Sequence, residues 1–207
     1  GDWWPPKEGI AEYRQTVESL QTAEIEPSAW INPTRVYAGS DYWRGLSDPD
    51  RLPITVRDGE YRPYDFGIGY DEEFYQTSAS QPQWQAHYSS AFDRVSEAGV
   101  PHFELDGFPW QWVPNCWNSD HDHPDGKGGK WHPTRMRQYL SSLHDKHGSD
   151  STIAISGEGT ADIYLPYLNI LRTRDAEAER NDSLVRNGTV EPIPMFPYTF
   201  NEYVFTR

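Results

Sequence analysis

The chain has 207 residues, of which 32 are acidic and 18 basic, for a formal net charge of -14. That length suits one ordinary domain with a sizeable core, and the charge argues against nucleic acid, whose binding rests on Lys and Arg neutralising phosphates. No apolar stretch approaches membrane-spanning length, so a membrane is not an expected partner either.

Ile10, Tyr13, Val17 and Leu20 recur at the spacing of one helix face, which predicts an amphipathic first helix. The run Pro27 to Pro33, with Ala29, Trp30 and Ile31 between its prolines, predicts a short buried strand. Residues from about 36 to 80 are rich in Tyr, Asp, Gly and Pro without a sustained period. They read as a long irregular insertion with a small hairpin around Asp58-Gly59. The second helix carries the clearest signals: Pro82 near its start, Trp84, Tyr88, Ala91, Phe92 and Val95 on one face, and Gly99 at its close.

The strand His102 to Asp106 follows directly. A second irregular stretch, about 108 to 132, holds Trp110, Trp112, Trp117, Trp131, three of the chain's histidines and the cluster Gly126 to Gly129. A third helix is predicted from about Pro133, with Met136, Leu140 and Leu143 inward, and then a strand Thr152 to Ser156. Helical register in Ile163, Tyr164, Tyr167, Leu168 and Leu171 predicts a fourth helix from about Ala161 to Glu179, with Pro166 tolerable near its first turn or at a kink. A last strand is expected over Ile193 to Tyr198.

Helices and strands thus alternate strictly, which predicts an α/β fold with a parallel sheet covered by helices. No Gly-rich nucleotide loop follows any strand, so an open doubly wound sheet is disfavoured. The expectation is a single catalytic domain over residues 1–207, a (β/α)8 TIM-type barrel of which this chain supplies about half, since such barrels run to roughly 250 residues. Gly1 in place of Met, and Arg207 close behind a strand-like run, point to a fragment of a longer protein. A missing leader therefore says nothing about export.

Two strand ends carry acids before a glycine: Asp106-Gly107 and Glu158-Gly159. In a barrel of this type the C-terminal strand ends converge on substrate. Neighbouring strands lie about 5 Å apart, close to the separation of about 5 to 5.5 Å between the two carboxyl groups of a retaining glycosidase. Asp106 suits the ionised nucleophile and Glu158 the protonated acid, the negative charge of the first helping to hold the proton on the second. The bland alternative makes Asp106 a solvated turn acid and Glu158 a helix cap.

The segments Leu105-Asp106-Gly107-Phe108 and Ser156-Gly157-Glu158-Gly159 resemble the fourth and fifth strand ends of barrel glycoside hydrolases related to alpha-amylases and endo-alpha-N-acetylgalactosaminidases. The resemblance implies a nucleophile at Asp106 and an acid/base at Glu158. The loop Asn115-Cys116-Trp117, with His121-Asp122-His123-Pro124 and Gly126 to Gly129, is similar to one in a group of predicted barrel glycosidases from bacteria and archaea. Where the alpha-amylase family has Arg two residues before its nucleophile, this chain has Glu104.

The expected partner is a carbohydrate, and no cofactor is implied. Asp2, Trp3, Trp4, Trp30, Trp110 and Trp112 are candidate sugar contacts, because aromatic faces with polar edges stack on sugar rings as well as in cores. Asn32, Arg35, Asn201 and Glu202 end strands and are candidates to hydrogen-bond hydroxyls. His121 and His123 alternate with Asp120, Asp122 and Asp125. They are read as substrate-binding residues, with a divalent-metal hydrolase as a second enzyme reading. A carbohydrate-binding barrel without turnover is the non-enzyme alternative. Dispersed acids with little Lys suit solubility in high salt and a halophilic source. The lone Cys116 cannot form an internal disulfide, so cysteine usage does not fix the compartment.

Overall fold

A computed structural model describes residues 4–46, 56–57, 60–61, 74–77, 81–109, 116–119, 121–124, 129–148, 154–158, 161–172, 187–188, 199 and 205–206. In chain order the elements are α1 (Ile10–Thr22), β1 (Ser28–Ile31), β2 (Arg35–Tyr37), α2 (Asp41–Arg44), β3 (Val56–Arg57), β4 (Glu60–Tyr61), β5 (Phe74–Gln76), α3 (Pro82–Glu97), β6 (His102–Pro109), α4 (Trp131–Leu143), β7 (Ala154–Glu158), β8 (Ile170–Arg172) and β9 (Phe205–Thr206). A π-turn, His144–Gly148, extends α4, and a 3-10 helix, Asp162–Tyr167, precedes β8.

Five strands form one sheet in the order β1-β6-β7-β8-β9, and every neighbouring pair is parallel. A doubly wound sheet would reverse its order at a switch point. Here the spatial order follows the chain, so the winding advances in one direction, as in a barrel. The chain is a partial (β/α)8 barrel.

Residues paired in parallel register share a face, and the two faces differ in chemistry. Phe103, Leu105, Ile155 and Leu171 point to the helices and are almost fully buried with Phe92, Leu140 and Leu143. The Phe92 and Phe103 rings stack at 4.4 Å. Each such side chain contributes about 1.5 to 3 kcal/mol by leaving water. On the opposite face one rung holds Trp30, Glu104, Ser156 and Ile170 in register, and the acids Asp106 and Glu158 lie one rung further toward the strand ends.

The second predicted helix is α3, with Pro82 in its first turn and Trp84, Tyr88, Ala91, Phe92 and Val95 all buried. Gly99 follows it with φ +92°, a left-handed conformation that glycine takes without a Cβ penalty. Asp93 on α3 accepts from Lys146 Nζ at 2.6 Å and lies 3.0 Å from His147 Nε2, tying α3 to the end of α4. In the region read as an insertion, β2 pairs with β5 and β3 with β4, both antiparallel. The second pair flanks the predicted hairpin at Asp58-Gly59.

The predicted fourth helix is not formed as such. Asp162–Tyr167 is a 3-10 helix with Pro166 inside it, and the chain then extends into β8. Pro166 has no N–H for a helical ladder. Leu168 is already extended, and Asn169 exchanges hydrogen bonds with Ile155: its N–H donates to the Ile155 carbonyl at 2.8 Å, and its Oδ1 accepts from the Ile155 N–H at 2.9 Å. The periodic apolar residues are split between the two elements, Tyr164 and Leu168 under the turn and Leu171 in the strand, all buried. Residues 173–179 and the strand expected over Ile193 to Tyr198 lie outside the described residues.

The strand through Trp30 is also less enclosed than its sequence suggests. Ile31 is buried on the helix side, whereas Trp30 is 60 % exposed on the other face. Among the described residues β1 is an edge strand of the sheet.

Candidate active site

The geometry of the two acids begins with an irregularity in β6. Its pairing with β7 runs from His102↔Ala154 to Leu105↔Gly157 and then jumps to Pro109↔Glu158, so Asp106, Gly107 and Phe108 bulge out of register. Gly107 sits at φ +70°. A bulge of this kind re-aims side chains beside functional sites, and the left-handed residue in it is preferentially glycine. The backbone N–H of Gly107 consequently donates to Glu158 Oε2 at 2.6 Å.

Asp106 is gripped from the other side by Asn32, whose Nδ2 donates to Asp106 Oδ2 at 2.5 Å. The direction of that amide is fixed by its neighbour. Asn32 Oδ1 accepts from the Thr34 N–H at 2.9 Å and from Thr34 Oγ1 at 2.7 Å, which turns the NH2 end to Asp106. The turn is anchored in the core, because the Pro33 carbonyl accepts from Trp84 Nε1 at 2.6 Å and from Thr77 Oγ1 at 3.0 Å. Asn32 and Glu158 are both buried, the latter to 2 % exposure.

The two carboxyl groups are within hydrogen-bond reach of each other. Burial, that hydrogen bond and the Glu158 charge raise the pKa of Asp106 from 3.8 to about 6, while the Asn32 donor and the positive charge of Arg35 pull it back. Sequence reasoning makes Asp106 the ionised partner of the pair, whereas burial beside Glu158 raises its own pKa.

The structure thus brings Asp106, Glu158 and Asn32 together, with the charge of Arg35 acting on Asp106. Trp30 and Glu104 lie one rung below on the same face of the sheet. Trp4 instead packs against the core, edge-on to Tyr13 with ring centroids 6.0 Å apart. His121 and His123 contact each other and Cys116 in the loop after β6. Their neighbour Asp122 does not join them: its side chain is 98 % exposed and pairs with Arg135 at 2.9 Å. Asp2, Trp3, Trp110, Trp112, Asp120, Asp125, Asn201 and Glu202 lie outside the described residues. Sequence reasoning missed Thr34 and the Gly107 N–H. Asn32-Pro33-Thr34 did carry a signal, since Asn side chains close turns onto the backbone two residues on.

Among the solved structures similar to this chain are several glycoside hydrolases. Alpha-N-acetylgalactosaminidase NagBb from Bifidobacterium bifidum superposes with a TM-score of 0.66 at 13 % identity, over 95 % of this chain and 30 % of its own. The alpha-galactosidase TtGalA from Thermus thermophilus gives 0.57 at 17 % identity, over 91 % and 36 %. A maltogenic amylase from S. marinus gives 0.56 at 9 % identity, over 94 % and 30 %. The chain spans about a third of the length of each. No curated protein matches it in sequence. The family described as "Domain of unknown function (DUF6259)" matches residues 1–207, and the chain belongs to it.

Proposed function

We propose that this member of the DUF6259 family is a glycoside hydrolase acting on α-linked sugars, with Asp106 as nucleophile and Glu158 as acid/base. The observation that carries the reading is the pair of facing carboxyls at the C-terminal ends of adjacent parallel strands. The barrel fold shared with an α-N-acetylgalactosaminidase, an α-galactosidase and an amylase supports the α configuration of the substrate.

In the reaction a sugar enters at the strand ends and parts the two carboxyls. An Asp106 oxygen attacks the anomeric carbon as the glycosidic C–O bond breaks, and Glu158 gives its proton to the departing oxygen. Gly107 N–H binds Glu158 Oε2, so that proton sits on Oε1. Water then loses a proton to Glu158 and displaces Asp106 from the anomeric carbon, which regenerates both groups. The Asn32 amide and the Arg35 charge favour the ionised Asp106 that the first step needs.

The test is turnover of p-nitrophenyl α-galactoside, α-N-acetylgalactosaminide and α-glucoside by the protein that carries this chain, with Asp106→Asn and Glu158→Gln alongside. Trapping with a 2-fluoro glycosyl fluoride should label the peptide containing Asp106. Turnover that persists in Asp106→Asn would sink the assignment, and sugar binding by the wild type with no turnover would favour the non-catalytic barrel.

A further inference from the structure

We infer that Cys116, His121 and His123 form a binding site for a divalent transition ion of the zinc class, which braces the loop between β6 and α4. One donor atom from each lies within 4.8 Å of the other two. Cys116 Sγ is 3.1 Å from His121 Nδ1, which is 3.2 Å from His123 Nε2. Bonds of about 2.0 to 2.3 Å to a tetrahedral ion place its ligand atoms roughly 3.3 to 3.8 Å apart, so the two spacings at His121 Nδ1 lie just inside the span that one ion sets.

Hydrogen bonding alone explains this convergence poorly. His121 Nδ1 has a single in-plane position, which either donates one proton or accepts one, yet two donor atoms crowd it. A cation takes lone pairs from all three at once. Cys116 and His121 are 3 % and 6 % exposed, and a buried thiolate is stabilised by such an ion. Sulfur with imidazole selects zinc-like metals over calcium or magnesium.

The surroundings fit this role. His123 Nδ1 faces the Pro124 carbonyl at 3.3 Å. That contact keeps the proton on Nδ1 and leaves the Nε2 lone pair pointing into the cluster, the arrangement typical of metal-bound histidine. Its ring stacks on Trp131 at 4.2 Å with 16° between planes. Asn118 Nδ2 lies 3.2 Å from His121 Nε2. With metal on Nδ1, the Nε2–H is accepted by the oxygen end of that amide after a half-turn. Arg135 grips Asp122 through both its carboxylate and its main-chain carbonyl, fixing the short segment between the two histidines.

The experiment strips the protein with a chelator and titrates it with Co2+ alone, followed by Zn2+. One Co2+ per chain is expected, with a thiolate-to-cobalt charge-transfer band that an equivalent of Zn2+ abolishes. Cys116→Ser should remove the band. His123→Ala, at a half-buried position, should keep the native circular dichroism and decide the matter if the serine variant does not fold. Each should weaken Zn2+ at least about 100-fold, since even an outer-shell partner is worth about 10- to 100-fold. Wild-type protein without a thiolate band, or equal metal uptake by wild type and His123→Ala, overturns the proposal. The readout does not depend on sugar hydrolysis.

Discussion

The acid pair and the Cys/His loop are two clusters of reactive side chains assembled in opposite ways. Asn32, Asp106 and Glu158 come from the ends of three parallel strands, and Asn32 reaches Asp106 over 74 residues while Glu158 reaches Gly107 over 51. Cys116, His121 and His123 sit within eight consecutive residues of one loop. The first cluster inherits its geometry from strand register and the packed core behind it. The second must hold its own shape, through Trp131 stacking and the Arg135 grip on Asp122. Precise chemistry is better served by rigid strands, whereas a local loop is better served by a central ligand that organises it.

If the two clusters are independent, damage to one should leave the other intact. The largest effect is expected from Asp106→Asn, with turnover falling by about 10⁴-fold or more while the cobalt spectrum is unchanged. The converse is the loss of stoichiometric metal in Cys116→Ser, and the pH dependence of hydrolysis should then stay in place. A shared loss in both variants would show that the loop and the strand ends form a single site.

Gly107→Ala probes the bulge that joins Asp106 to Glu158. A Cβ at φ +70° costs roughly 1 to 2 kcal/mol, so chemical denaturation should show that loss. Activity should fall as well, because the N–H that holds Glu158 is re-aimed. A subtler change is expected from Asn32→Ala. Losing a donor to the carboxylate raises the Asp106 pKa, and the acid limb of kcat/KM, set near pH 6 by that group, should move up by about one unit.

The smallest effect concerns stability. Asp106 is harder to ionise in the folded chain than in the unfolded one, so the folded state binds the extra proton between about pH 4 and pH 6. The protein is therefore relatively more stable at the acid end of that window, and the advantage is lost as pH rises through 6. Asp106→Asn removes the charge, and thermal melts should show it gaining on wild type at pH 7.5 but little at pH 4. An equal difference at both pH values would mean that the carboxyl carries no folding-linked shift.

How much of this was legible in the sequence follows the same contrast. The α3 helix is local: Pro82, a buried face at helical spacing and Gly99 specify it without reference to anything else. The two acids were legible because strand-then-glycine is also a local pattern. The contact of Asn32 with Asp106 was not, since it depends on which strands become neighbours. The fourth helix failed because a helical apolar period is satisfied equally well by a 3-10 turn followed by a strand, once Pro166 interrupts the ladder. In the sequence Cys116 reads as a lone thiol, and His121 and His123 group with the aspartates beside them. The fold turns Asp122 outward to Arg135 and brings the cysteine in.

The hydrogen bonds between Asn169 and Ile155 have a further effect on the strand they introduce. β8 has only three residues, too few to choose its own alignment against β7, and a slip of one would send Leu171 to the wrong side of the sheet. By engaging both polar groups of the Ile155 backbone, Asn169 acts as an indexing pin that sets the phase of β8 before its first ladder bond. That phase is what brings Arg172 level with Glu158, so a side chain fourteen residues from Ile155 governs which position of the next strand stands beside the acid.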